Sequence, residues 1–278
     1  MSWSQIEHPK ASPFSSITQN VGLSEITVDY SRPATKGRKI FGFRTEGQPG
    51  LVPYGRIWRV GANESTKITF DSDVTIQEKT LPKGTYALYA FPEKDTWEIV
   101  FHKNTTHWGD GRNNYDPQED ALRIKVKPIK TLSFQENFQI DFDNITHNSL
   151  DMVWHWAHTK ITVPMYFDTK AMMTAQIVEK LKTDLSAQTL YEIARYYQEQ
   201  GIEYPKALQL LNNAIEKGGD TYYFHRVKSL VQAALEDYES AIGSAQKSLE
   251  LAEKQGKDEF VRMNRKNIKK WQATLKNN

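Results

Sequence analysis

The feature that most constrains this chain is a change in the period of its apolar residues between Pro164 and Thr169. From about Phe14 to Val163, apolar and polar residues alternate at period two, the pattern of strands with one buried face. The runs are Ile26, Val28, Tyr30; Ile68, Phe70; Trp97, Ile99, Phe101; Leu122, Ile124, Val126; Phe138, Ile140, Phe142; and, heaviest, Leu150, Met152, Trp154, Trp156. Turn-forming groups such as Leu81-Pro82-Lys83-Gly84 and Phe91-Pro92-Glu93-Lys94-Asp95 separate them. Many short strands without intervening helices predict an antiparallel β-sandwich or barrel over residues 13–165. Pro164 is expected to close the last strand and Asp168 to cap the first helix of a second, helical domain, residues 169–276. The expected fold class is therefore α+β, in two domains.

In the second domain, helical periodicity begins at Lys170 to Lys182. A helical hairpin follows from about Leu190 to Lys217, with Ala194 and Tyr197 on its first helix, a break at Gly201, and Ala207, Leu211 and Ala214 on its second. Those three recur in type as Ala241, Ala245 and Ser248, an offset of 34 residues. Small residues at these places let paired helices approach closely. The second copy, about Tyr222 to Leu251, is looser, with polar Lys228, Gln232 and Glu236 where the first has Ile193, Tyr197 and Gly201. A last helix, about Asp258 to Leu275, places Phe260, Ile268, Trp271 and Leu275 on one face and Arg262, Arg265, Lys266, Lys269 and Lys270 on the other. That pattern predicts a capping helix.

Composition removes several functional classes. With 36 basic against 34 acidic side chains, the chain lacks the positive field of a nucleic-acid binder. It has no cysteine, which excludes disulfides, thiolate catalysis and cysteine-based zinc sites. No apolar run is long enough for a membrane span, and Met1-Ser2-Trp3-Ser4-Gln5 does not read as a signal peptide. A soluble, exported or periplasmic protein whose leader is absent from this chain is the favoured expectation, a cytoplasmic one the alternative.

Leu190 to Leu251 resembles tetratricopeptide repeats. The strand-rich part resembles the bacterial domain-of-unknown-function family 2911 over about residues 13–164. The likeness rests on Asp29-Tyr30-Ser31-Arg32-Pro33, Lys36-Gly37-Arg38-Lys39-Ile40-Phe41-Gly42, Leu51-Val52-Pro53-Tyr54-Gly55, Trp58-Arg59, Gly61-Ala62-Asn63-Glu64 and Leu81-Pro82-Lys83-Gly84-Thr85-Tyr86. Near the end, Trp154 and His155 stand in place of an aliphatic and a basic residue. The resemblance implies an antiparallel β domain of often exported bacterial proteins and carries no established activity.

The densest polar constellation is Arg32, Lys36, Arg38, Trp58, Arg59, Asn63 and Glu64. Arginines fork onto carboxylate or phosphate, an indole stacks on a sugar face, and Asn63 with Glu64 suits hydroxyls. The competing reading is a structural brace in which Arg59 pairs with Glu64. No metal centre is expected, because His155 and His158 point to opposite faces of a strand and His102 and His107 converge only if the intervening loop folds back. Asp141 and Asp143 share a strand face opposite Phe138, Ile140 and Phe142 and read as solvated. On the helices, Tyr197, Tyr204, Tyr223 and His225 are candidate partner contacts. No catalytic residue or cofactor is assigned. The expectation is a non-enzymatic binding or scaffold protein whose helices meet a protein partner or a second copy; the alternative is recognition or hydrolysis of a small anionic or sugar-like ligand around Trp58.

Overall fold

A computed structural model describes residues 8–45, 48–109 and 113–277. The chain divides into two compact units, Met1–Thr174 and Ala175–Asn278. The first holds strands β1 (Phe14–Val21), β2 (Ser24–Ser31), β3 (Phe43–Thr45), β4 (Gln48–Pro49), β5 (Thr66–Phe70), β6 (Val74–Ile76), β7 (Lys79–Leu81), β8 (Gly84–Phe91), β9 (Trp97–His102), β10 (Asp120–Val126), β11 (Ile129–Asp143) and β12 (Ser149–Tyr166). Six of them form a sheet in the order β1-β2-β5-β8-β9-β10, four form a second in the order β11-β12-β6-β7, and β3-β4 is a small ribbon. Every strand pair is antiparallel. The fold is thus a two-sheet sandwich rather than a barrel.

The period-two runs supply the inner faces. All the apolar residues named above for them are buried. Between the sheets, Phe41, Trp58, Trp97, Phe138, Trp154 and Trp156 interlock edge to face, with Trp58 and Trp156 stacked at 5.9 Å. Large rings suit a gap of about 10 Å between facing sheets. The Tyr30 hydroxyl fastens them, donating to the Ile140 carbonyl at 3.2 Å and accepting from its amide at 3.0 Å. The β1–β2 turn needs glycine twice over: Gly22 has φ 58, and a Cβ there would lie 2.2 Å from the His147 carbonyl oxygen.

Pro164 does not close β12, which continues to Tyr166. The pairing with β11 already ends at Lys160, so Pro164 interrupts no ladder bond to that neighbour. The helices are α1 (Thr169–Lys180), α2 (Ala187–Gln200), α3 (Tyr204–Glu216), α4 (Tyr222–Ala234), α5 (Tyr238–Lys254) and α6 (Asp258–Asn277). Asp168 accepts from the Ala171 amide at 2.9 Å, the cap its position predicts. The division between units falls within α1, whose first turn is held by Thr169 Oγ1 donating to the His147 carbonyl at 2.8 Å.

In the second unit α2 packs on α3, α4 on α5 and α5 on α6. Ser186, Thr221 and Asp237 cap α2, α4 and α5 by accepting from the third amide onward. Ala207, Leu211 and Ala214 and their counterparts Ala241, Ala245 and Ser248 have no exposed surface. At an offset of 34 the counterparts of Ile193 and Tyr197 are Val227 and Val231, both buried, so the second copy is apolar there and not loosened by Lys228 and Gln232. Its polar groups are also paired, Ser244 Oγ donating to buried Gln232 at 2.6 Å and Asn264 Nδ2 to Ser248 Oγ at 2.8 Å. Trp271 of α6 packs on Ala241 and Ala245, whereas Leu275 is exposed, so the apolar face of α6 ends before its last turn. No helix among the described residues is long and apolar enough to cross a membrane.

Candidate functional site

The seven polar-cluster residues of the β unit separate into three places. Trp58 is 6% exposed and its Nε1 donates to the Gly61 carbonyl at 3.2 Å. The space left among its ring neighbours is about 10 Å³, too little for any ligand. Its role is packing, a correction to the expectation of a stacking platform: the apolar strand faces claim the indole. The loop it anchors turns through Val60 at φ 54, Gly61 at φ 145 and Asn63 at φ 62, which accounts for glycine and asparagine in that motif.

Arg32, Lys36 and Arg38 belong to a strap laid along the outer edge of β11. Arg32 Nε donates to the Phe138 carbonyl at 3.1 Å, the Phe138 amide to Pro33 at 2.9 Å and the Thr35 amide to the Glu136 carbonyl at 2.9 Å. The Glu136 carboxylate accepts from the Thr35 hydroxyl and the Lys36 amide, and these contacts hold its pKa below the usual 4.5. Arg38 tightens the strap by donating to the Thr35 and Ala34 carbonyls. A brace is present, but the pairing expected for it is replaced: Glu64 takes Lys67, at 2.8 Å, and not Arg59, which is half-buried in the loop after Trp58.

Asn63 and Glu64 reach a third place, an open cleft of about 610 Å³ lined also by Lys10, Phe14, Asp29, Lys67 and Trp108. Asn63 Nδ2 donates to Ser12 and Ser31, while Trp108 is 74% exposed. Asp141 and Asp143 are exposed on a separate cleft and accept from the Phe142 and Asn144 amides.

A further group of titratable side chains joins His102 and His107 to Tyr115, Glu119, Asp120 and Arg123, four residues that the sequence did not single out. In β9, Trp97, Ile99 and Phe101 face the core, so His102 takes the outer face of the six-stranded sheet. The residues that follow β9 return to that face and bring His107 to it, with ring centroids 5.5 Å apart. The fold-back on which convergence of the two histidines depended is thus made. A short 3-10 turn, Pro117–Glu119, then sets Glu119 Oε2 3.4 Å from His102 Nε2. Antiparallel pairing places Asp120 opposite His102, with Asp120 Oδ1 3.2 Å from its Nδ1.

Asp120 is in turn held by the Tyr115 hydroxyl at 2.7 and 2.9 Å and by Arg123 at 2.8 and 3.2 Å. Burial first, then the Asp120 contact, raises the Tyr115 pKa, so the phenol stays protonated and donates. Burial works to lower the pKa of Arg123, but its hydrogen bonds to Asp120 and Glu98 outweigh that and raise it. The sequence signal was parity: Tyr89 and Val100 share the outer face with His102, and apolar residues on both faces of a strand require a cover over the second.

On the helices, Tyr197 and His225 are buried rather than displayed. Tyr197 lies under Lys206, and His225 Nε2 meets Asp220 at 2.6 Å. That hydrogen bond, ahead of the opposing effect of burial, lowers the Asp220 pKa. Tyr204 and Tyr223 are half-exposed, and the Tyr223 hydroxyl donates to Gln188. Most of the aromatic row packs helix on helix: Tyr191 stacks on Phe224 at 4.4 Å and Tyr222 meets Phe260 edge-on at 4.6 Å.

No curated protein and no solved structure matches the chain. The model of one family, described as a protein of unknown function (DUF2911), matches residues 12–165, more than half of the chain and all of the sandwich but the last residue of β12. The strap along β11, the Trp58 loop and the two sheets they join are thus the structure of a member of that family, to which this chain belongs.

Proposed function

We propose that this protein works by binding rather than by chemistry, with the sandwich as scaffold and the helical unit as a short tetratricopeptide-like module that docks a protein partner or a second copy of the chain. The observation that carries this reading is the complete burial of the six positions related by 34 residues, the interior expected of stacked helical hairpins. Half-exposed Tyr204 and Tyr223 offer rigid contact area. The test pairs light scattering of the purified chain across concentrations with affinity capture from the native cell lysate, for wild type and for Tyr204→Ala/Tyr223→Ala. A dimer or a retained partner lost in the double variant supports the reading. A monomer that captures nothing specific overturns it.

The alternative, small-ligand recognition, finds its support at Trp108 rather than Trp58. An exposed indole beside Lys10, Asp29, Asn63, Glu64 and Lys67 suits an anionic sugar-like molecule. Quenching of Trp fluorescence by a panel of uronic acids and sugar phosphates, abolished in Trp108→Ala, is the expected outcome; no quenching rejects it.

A further inference from the structure

We infer that His102, His107 and Glu119 form a binding site for one divalent transition-metal ion of the zinc class. Their ligand atoms lie within 4.8 Å of one another on the outer face of the six-stranded sheet. His102 is fully buried, and its Nε2 makes no hydrogen bond among the described residues. A buried polar nitrogen without a partner is costly and calls for an explanation. Beside it stands the Glu119 carboxylate at 3.4 Å, which is close enough to share an ion but lacks hydrogen-bond geometry.

The second nitrogen of His102 fixes the tautomer of that ring. A carboxylate only accepts, so His102 Nδ1 carries the proton and gives it to Asp120, leaving the Nε2 lone pair turned toward Glu119. His107 Nδ1 lies 3.2 Å from the Tyr89 hydroxyl, which can accept as well as donate, and with the proton on Nδ1 the His107 Nε2 lone pair is available to an ion. Asp120 is immobilised by Tyr115 and Arg123, so the imidazole it orients is held before any ion arrives. An orienting carboxylate behind a ligating histidine is the usual outer support of such sites.

The His102–Glu119 distance and the donor types agree. A tetrahedral ion with ligands at about 2.0–2.1 Å places neighbouring ligands roughly 3.3–3.4 Å apart, which is the separation of His102 Nε2 and Glu119 Oε2, 3.4 Å. Two imidazoles and one carboxylate suit zinc, cobalt or nickel better than calcium or magnesium, which prefer oxygen. Three protein ligands leave a fourth position for water or an anionic group. An imidazolium ion pair, the competing explanation, requires the hydrogen bond to Glu119 that the geometry lacks.

The experiment uses the untagged full chain, stripped with a chelator and titrated with Zn²⁺ against a chromophoric competitor, and separately with Co²⁺ while the visible absorption bands are followed. One equivalent is expected to bind, with a visible spectrum showing nitrogen and oxygen ligation. Glu119→Gln and His107→Gln should each weaken binding at least tenfold, and Asp120→Asn roughly 10- to 100-fold through the orientation of His102. Glu119 is partly exposed, so its variant should fold; matched circular dichroism before metal addition checks this. Absence of binding by the wild type, or unchanged affinity in folded Glu119→Gln and His107→Gln, overturns the site.

Discussion

The two units bury their interiors by opposite means. Between the sheets, four of the chain's seven tryptophans and two phenylalanines fill a wide gap. Between the helices, Ala194, Ala207, Ala214, Ala241, Ala245 and Ala252 fill almost none and allow close approach of the backbones. The gap between elements selects the side chain: sheets hold a fixed separation and require bulk, while helices adjust theirs and reward its absence. Damage should therefore run in opposite directions, with removal of volume hurting the sandwich and addition of volume hurting the helices.

The largest expected effect is Trp154→Ala, costing about 3–5 kcal/mol in urea unfolding followed by near-ultraviolet circular dichroism. Trp154→Phe should cost less, because Trp154 Nε1 has no hydrogen-bond partner among the described residues to lose. Ala245→Leu should cost about 1–3 kcal/mol by overpacking against Trp271, read from the helical signal. A neutral result there would break the contrast between the units. Asn264→Ala removes the donor that reaches Ser248 Oγ and the acceptor for Arg226, and should cost about 1–3 kcal/mol in the same signal.

The smallest effect depends on pH. The folded pKa of Glu136 lies below 4.5, so its contribution is present above that value and is lost as pH falls through the folded pKa. The gap in unfolding midpoint between wild type and Glu136→Gln should therefore be open at about pH 6 and closing at about pH 3. A gap independent of pH would remove the carboxylate from the account of the strap.

Much of the fold was legible in the sequence because one face of each strand is dry. Alternation placed Ile26, Val28 and Tyr30 in β2 and Leu150 to Trp156 in β12, and the 34-residue offset marked the buried helix positions. The candidate site was not legible in the same way. Trp58 stands among arginines in sequence, but its environment is set by Phe138, Trp154 and Trp156, which lie 80 to 98 residues on. His102 and His107 meet through the path of a connection, and no periodicity reports a loop path. Glu119 and Asp120 gain their meaning from register, since only the pairing of β10 with β9 sets Asp120 against His102.

The strap has a consequence beyond the single molecule. β11 is a 15-residue strand at the margin of its sheet, and an uncovered margin is a template onto which another chain's strand can add. Pro33, Thr35 and Arg32 occupy the outward backbone groups of Glu136 and Phe138, and the Tyr30 hydroxyl occupies those of Ile140. The strap thus guards each copy against its neighbours, and a chain that lost it would be endangered first by crowding, before its own core gave way.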